Sequence, residues 1–166
     1  MLQSAGMRPL TESDLLHLRR CVELAREALD SGDEPFGSLL VDPSGKVAFE
    51  DRNRVADGDS TRHPEFEIAR WAAANVAADE RPKYVVYTSG EHCAMCSAAH
   101  AWVGLGEIVF ATSSEQLIAW LDGWGAPRPP VAPLPITDVA PGIRTVGPVA
   151  DLAAEVKSLH ARRLTS

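Results

Sequence analysis

Apolar positions recur at helical spacing through Leu15, Leu18, Val22, Ala25 and Leu29, which predicts an amphipathic helix over residues 11–30. Thr11 and Asp14 can form a capping pair at its start, and Gly32 lies just past its end, where a helix stop is expected. The next stretch, SLLVDPSGKVAFED, carries two apolar runs either side of Asp42-Pro43-Ser44-Gly45 and predicts a β-hairpin. A polar loop, NRVADGDSTR, leads to an Ala-rich segment that predicts a helix from Pro64 to Ala78. KYVVYTS and EIVFAT read as short buried strands, with a helix from about Cys93 to Val103 between them. SSEQLIAWL predicts a further helix capped by Ser113 or Ser114. GWGAPRPPVAPLP cannot be regular, because proline lacks the N–H donor and blocks helix. An extended piece near IRTVG precedes a last helix, roughly Val149–Leu164. Helices alternating with strands after an opening hairpin predict an α/β fold, a sheet covered on both faces and mostly parallel after the hairpin.

Composition narrows this picture. The 166 residues suit one domain with its own core. There is no internal repeat, and the Pro-rich loop is too short to be an interdomain linker. No apolar run approaches the ~20 residues of a membrane span, so no membrane association is expected. MLQSAGMRPL lacks a basic region followed by an apolar stretch, so no secretory leader is expected. Three cysteines argue against a disulfide framework and make the cytoplasm the expected compartment. The net charge of −7 disfavours an electrostatic hold on nucleic acid, which works by neutralising phosphates, but leaves room for a local basic patch.

The chemistry concentrates in two short motifs. Cys93 and Cys96, in SGEHCAMCSAAH, fit the start of a helix, where exposed N–H groups and the helix dipole favour thiolates. Alone, such a pair reads equally as half of a structural zinc site or as a redox dithiol. His63 is the best third ligand, because it precedes Pro64 and Glu65 at the start of another long helix. Proline fits the first helical turn, where its missing N–H costs nothing. Three protein ligands leave one position open, as in catalytic zinc sites. Glu65, two residues past His63, can sit beside the metal without ligating it and serve as general acid and base in turn. The ordered pair H-x-E and C-x-x-C is far more specific than either half. It is nearly the signature of zinc nucleobase deaminases, which carry proline before the first cysteine.

On these residues the chain resembles the cytidine deaminase superfamily, most closely its guanine deaminase and tRNA adenosine deaminase branch. The resemblance covers roughly residues 11–112, through EPFGSLLVDPSGKVAFEDRNRV, HPEFEIAR and YVVYTSGEHCAMCSAAHAWVGLGEIVFA. It implies a three-layer α/β/α sandwich around a five-stranded mixed sheet, with the part from about 113 to 166 divergent. It implies that His63, Cys93 and Cys96 bind Zn2+ and that Glu65 shuttles protons. Asn53 would hydrogen-bond the base ring, while Glu91, Trp102 and Phe36 would lie at the substrate. Two positions depart from the family pattern. His92 stands where proline is usual, and Pro64 where alanine is more common, whose N–H often contacts the base in relatives. Pro64 cannot donate, so that contact is lost or replaced.

Other readings stand beside these. His92 fits a fourth ligand closing a structural site, a residue lining the pocket, or a stand-in for proline. His100 reads as a core or interface histidine, Cys21 as core, and His17 and His160 as solvated. Asn53 can serve merely to satisfy a loop, and Glu91 can be a structural carboxylate. Trp120 and Trp124 fit either the core or a pocket cap. The expected activity is zinc-dependent hydrolytic deamination of a small amino-heterocycle: guanine, cytosine or a related aminotriazine. The rivals are tRNA adenosine deamination and a non-catalytic zinc-stabilised binding protein. The residues around Gly104-Leu105-Gly106 are not basic, which ranks the tRNA reading second and makes a nucleic-acid partner unexpected. The resemblance also implies a homodimer, with exchange of C-terminal segments open to the Pro-rich loop at 126–135.

Overall fold

A computed structural model of the chain describes residues 7–165. The first six residues of MLQSAGMRPL, on which the expectation of no secretory leader rests, lie outside the described residues. Five strands alternate with helices: α1 (Glu12–Asp30), β1 (Gly37–Val41), β2 (Val47–Arg52), α2 (Pro64–Asn75), β3 (Val85–Gly90), α3 (Ala94–Val103), β4 (Ile108–Thr112), α4 (Ser114–Gly123), α5 (Ile136–Val139), β5 (Thr145–Val146) and α6 (Ala150–Thr165). The sheet order is β2-β1-β3-β4-β5. β1 runs antiparallel to both β2 and β3, whereas β3, β4 and β5 are parallel, so the sheet is mixed.

Strand alternation divides the core into two layers. Leu39, Val41, Tyr87, Val109 and Ala111 face α1 and α6, meeting Leu18, Val22, Ala25, Val156 and Leu159. Leu40, Val86, Ile108 and Phe110 face the other way, against Ile68 and Ala72 of α2. Helices therefore cover both faces, which gives the α/β/α sandwich. Thr11 and Asp14 form the capping box of α1. Asp14 also accepts from the Tyr87 hydroxyl (2.7 Å) and pairs with Arg8 (2.6 Å), which reaches on to Glu107 (2.7 Å). The start of α1 is thereby tied to β3 and to the entry of β4.

Several boundaries differ from the sequence pattern. α2 ends at Asn75 rather than Ala78, because Val76 turns extended and buries its side chain in the core. Arg81 takes over the freed carbonyls, donating to Ala73 O (3.0 Å), Val76 O (3.0 Å) and Val103 O (3.2 Å). The cap of α4 is Ser113, in a box with Gln116. The Pro-rich stretch is irregular, but α5 follows it directly, a short turn the pattern did not predict. α6 packs on the sheet and beside α1, with Glu155 paired to Arg26 and Arg162 to Asp30. Among the described residues no helix is long and apolar enough to cross a membrane.

Candidate active site

Two helix N-termini converge on one point. His63 is the N-cap of α2 and Cys93 the N-cap of α3, and both adopt extended backbone. Cys96 lies in the first turn of α3, so its sulfur points back toward Cys93. His63 Nδ1 is 3.6 Å from the sulfur of Cys93 and 3.6 Å from that of Cys96. A tetrahedral zinc with bonds of about 2.3 Å to sulfur and 2.0–2.1 Å to nitrogen has N–S edges of about 3.6 Å. The donor set and its spacing therefore fit zinc, bound through His63 Nδ1, Cys93 and Cys96, with a fourth position left for a non-protein ligand.

The electrostatics point the same way. The hydrogen bond from Cys96 and the His63 imidazole pull the Cys93 thiol down to about 4. Cys93 in turn raises His63 to about 9. The bond to Cys93 and burial push the Cys96 thiol up. With these shifts Cys93 is a thiolate while Cys96 keeps its thiol proton and His63 is protonated, the two protons a metal would displace.

Glu65, the second residue of α2, is 5% exposed. Burial pushes its carboxyl up, while His63 and Ser38 pull it back. Its Oε1 lies 2.8 Å from Ser38 Oγ and 3.2 Å from Thr88 Oγ1, and the two hydroxyls are 2.9 Å apart. Ser38 and Thr88 share the parity of Leu40 and Val86, so both face α2. The apolar run that holds Ser38 and the buried-strand reading of KYVVYTS that holds Thr88 do not single out either residue. A polar residue at a buried strand position beside the motif was the available signal.

Asn53 is 1% exposed. Its Oδ1 accepts from Val55 N (3.1 Å) and its backbone N–H donates to Phe36 O (3.0 Å), but its Nδ2 has no protein partner. That is a donor held ready in a buried position. Phe36 is half-buried and closes over Gly90, where a Cβ would come within 3.1 Å of its ring. Pro64 is the first residue of α2 and is buried beside His63.

The other three residues named for the substrate have the following surroundings. Both oxygens of Glu91 are occupied, by Ser114 N (2.9 Å) and Ile136 N (2.8 Å). It anchors the starts of α4 and α5 rather than presenting a free carboxylate. His92 is 1% exposed and turned inward, edge-on to His100 (5.5 Å, 86°), and is not among the metal donors. Neighbouring side chains at this turn point apart, so Cys93 faces the metal and His92 faces the protein. Trp102 is 88% exposed on the outside of α3. It sits two positions past the inward His100, about 200° around the helix. His160 and His17 also differ from expectation. His160 is buried, and His17 packs its ring on Tyr87 (4.7 Å). Cys21 is core, and His100 is a core histidine with Nε2 2.7 Å from Gly106 O.

A mixed sheet between helical layers, with a His-Cys-Cys cluster at two helix N-termini and a buried glutamate beside it, defines a zinc-binding deaminase fold. A family model described as the cytidine and deoxycytidylate deaminase zinc-binding region matches residues 11–112, and the chain belongs to that family. The probable cytosine deaminase of Schizosaccharomyces pombe is 40% identical over 109 residues, 66% of each chain. The guanine deaminase of Bacillus subtilis is 32% identical over 95 residues, 57% of this chain and 61% of that one. A tRNA-specific adenosine deaminase of Haemophilus influenzae is 30% identical over 107 residues, 64% and 62% of the two chains. The matched stretch thus spans 66% or less of each of these relatives. The fold matches a guanine deaminase structure from Nitrosomonas europaea with a TM-score of 0.69 at 21% identity, over 98% of this chain and 90% of that one. A structure solved in complex with 8-azaguanine matches with a TM-score of 0.71 at 24% identity, covering 97% and 88%.

Proposed function

We propose that this chain is a zinc-dependent hydrolytic deaminase of a free amino-substituted heterocycle, of the guanine, cytosine or aminotriazine class, releasing ammonia. The carrying observation is Glu65: a buried carboxylate beside the metal donors, outside the ligand set, with one oxygen fixed by Ser38 and Thr88. A structural zinc site has no use for such a group. Zinc, when bound, lowers the pKa of a coordinated water toward ~7. Glu65 relays two protons at its carboxylate: one from the water passes to a ring nitrogen, and the second, from the hydroxyl then bonded to the ring carbon, passes to the amine, which departs as ammonia as that carbon becomes a carbonyl. Asn53 Nδ2 orients the ring through the donor that the protein leaves unpaired. Pro64 supplies no N–H at the start of α2, so Asn53 carries more of that task.

The substrate class draws support from the named relatives, a probable cytosine deaminase and a guanine deaminase, and from the 8-azaguanine held by a structural neighbour. The net charge of −7 weighs against the tRNA reading that other relatives suggest. The test is ammonia release from free bases, nucleosides, aminated triazines and a tRNA anticodon arm. At least one free base is expected to react without RNA. Glu65→Gln is expected to lower kcat by roughly 10²- to 10⁴-fold while zinc content stays at one per chain. Wild-type turnover in Glu65→Gln would sink the mechanism, and activity on RNA alone would move the substrate.

A further inference from the structure

Three histidines outside the metal cluster are buried, and they are not alike. His100 is satisfied by the Gly106 carbonyl. His92 has both nitrogens sealed inside the protein. His160, on α6, is 8% exposed, yet no described residue hydrogen-bonds it; its contacts are rings, Phe36 edge-on at 5.0 Å and Trp120 tilted at 6.1 Å. Unlike those of His92, the His160 nitrogens are not sealed inside the protein, so an imidazole with no protein partner opens to whatever enters beside its two rings.

Its place in the fold says where that partner comes from. α6 climbs alongside α1, with Glu155 paired to Arg26 and Arg162 to Asp30, toward the turn that ends in Phe36. Phe36 joins the two sides. Its carbonyl accepts from Asn53, and its ring covers Gly90 in the segment that leads to Cys93. Trp120, from the end of α4, closes the third side. Residue 160 lies outside the family match, which ends at residue 112.

We propose that His160 is a substrate-contacting specificity residue: its imidazole hydrogen-bonds a polar edge of the bound heterocycle, in an aromatic wall made with Phe36 and Trp120. This rests on the free-base reading above and sharpens it. Burial pushes the imidazole down to about 4, so at neutral pH it offers one donor and one acceptor. That pair suits an amide-like N–H and C=O edge, as in oxo-purines and oxo-pyrimidines. A heterocycle bearing only amino groups gains less from it.

The test uses the full zinc-loaded chain. His160→Phe keeps the ring and removes both nitrogens; His160→Gln keeps a donor and an acceptor. Binding of guanine, cytosine and 8-azaguanine is read by calorimetry in a Glu65→Gln background, and kcat/KM by ammonia release with Glu65 intact. His160→Phe is expected to weaken the preferred base by roughly tenfold or more, with zinc content and melting midpoint unchanged, and His160→Gln to recover most of it. Wild-type affinity in His160→Phe, or equal losses in both variants, overturns the proposal. Should His160→Phe fail to fold, His160→Leu against His160→Gln gives the same reading. Base binding that depends on His160 without ammonia release from any base would refute deamination and leave this inference standing. No base binding at all would refute the inference itself.

Discussion

Glu65 carries a burden that its neighbours share. In the proposed mechanism this carboxylate moves protons and has to keep one orientation, and Ser38 and Thr88 fix one of its oxygens. Ser38→Ala removes the shorter of these bonds and leaves the metal donors untouched. We expect kcat to fall about three- to tenfold, with zinc content and KM close to wild type. Steady-state kinetics with metal analysis checks this; a KM effect alone would place Ser38 in substrate binding instead. His63, Glu65, Cys93 and Cys96 were legible in the sequence because each pair is close along the chain and sits at a helix start, where local rules fix direction. Ser38 and Thr88 were not, because their role depends on strands β1 and β3 pairing so that Ser38 lies opposite Thr88. His160 escaped for a stronger form of the same reason. A histidine late in a polar-looking helix reads as solvated until the helix is docked. Trp102, a substrate residue by resemblance, is set by the helical phase from His100 on the outer face of α3.

At the scale of elements, the site depends on the ends of α2 and α3 as much as on their beginnings. Arg81 bonds carbonyls from the ends of both helices, one guanidinium holding the two elements that bring His63 and Cys93 together. Arg81→Ala leaves those carbonyls to water or unpaired. We expect a loss of roughly 1–3 kcal/mol in urea unfolding, with weaker zinc retention against a chelator. A stability change within a few tenths of a kcal/mol would show that solvent satisfies these carbonyls. This link is not legible from the chain alone, because a cation after a helix marks an end without saying which other helix it reaches. The strands and long helices were legible from period alone. The end of α2 was not, since Val76 trades helix for burial, a choice made by the core rather than by propensity.

The whole molecule couples acid stability to its buried rings. His100 and His160 are each pushed down to about 4 by burial. Between pH 6.5 and 4 the unfolded chain takes up protons that the folded chain does not, so this stability is complete above 6.5 and is lost as pH falls toward 4. Each ring contributes on the order of 3 kcal/mol over that window. Urea unfolding across pH 4–7.5 is expected to show a steep fall below pH 6, shallower in His160→Gln. The outer surface carries a second whole-molecule expectation, the homodimer. Trp102 stands exposed beside a groove of about 550 Å³ lined by Leu105, Val139, Ala140, Pro141 and Ile143. Contiguous apolar surface of this kind marks interaction sites on soluble proteins. A two-fold pairing would let the indole of each copy lie against the groove of the other, since such an interface is self-complementary. Trp102→Glu would place a charge at the centre of that contact. Sedimentation at micromolar concentration is expected to show a dimer for the wild type and a monomer for the variant, with zinc content equal in both. A wild-type monomer would remove the homodimer, and a dimeric variant would move the interface to another face.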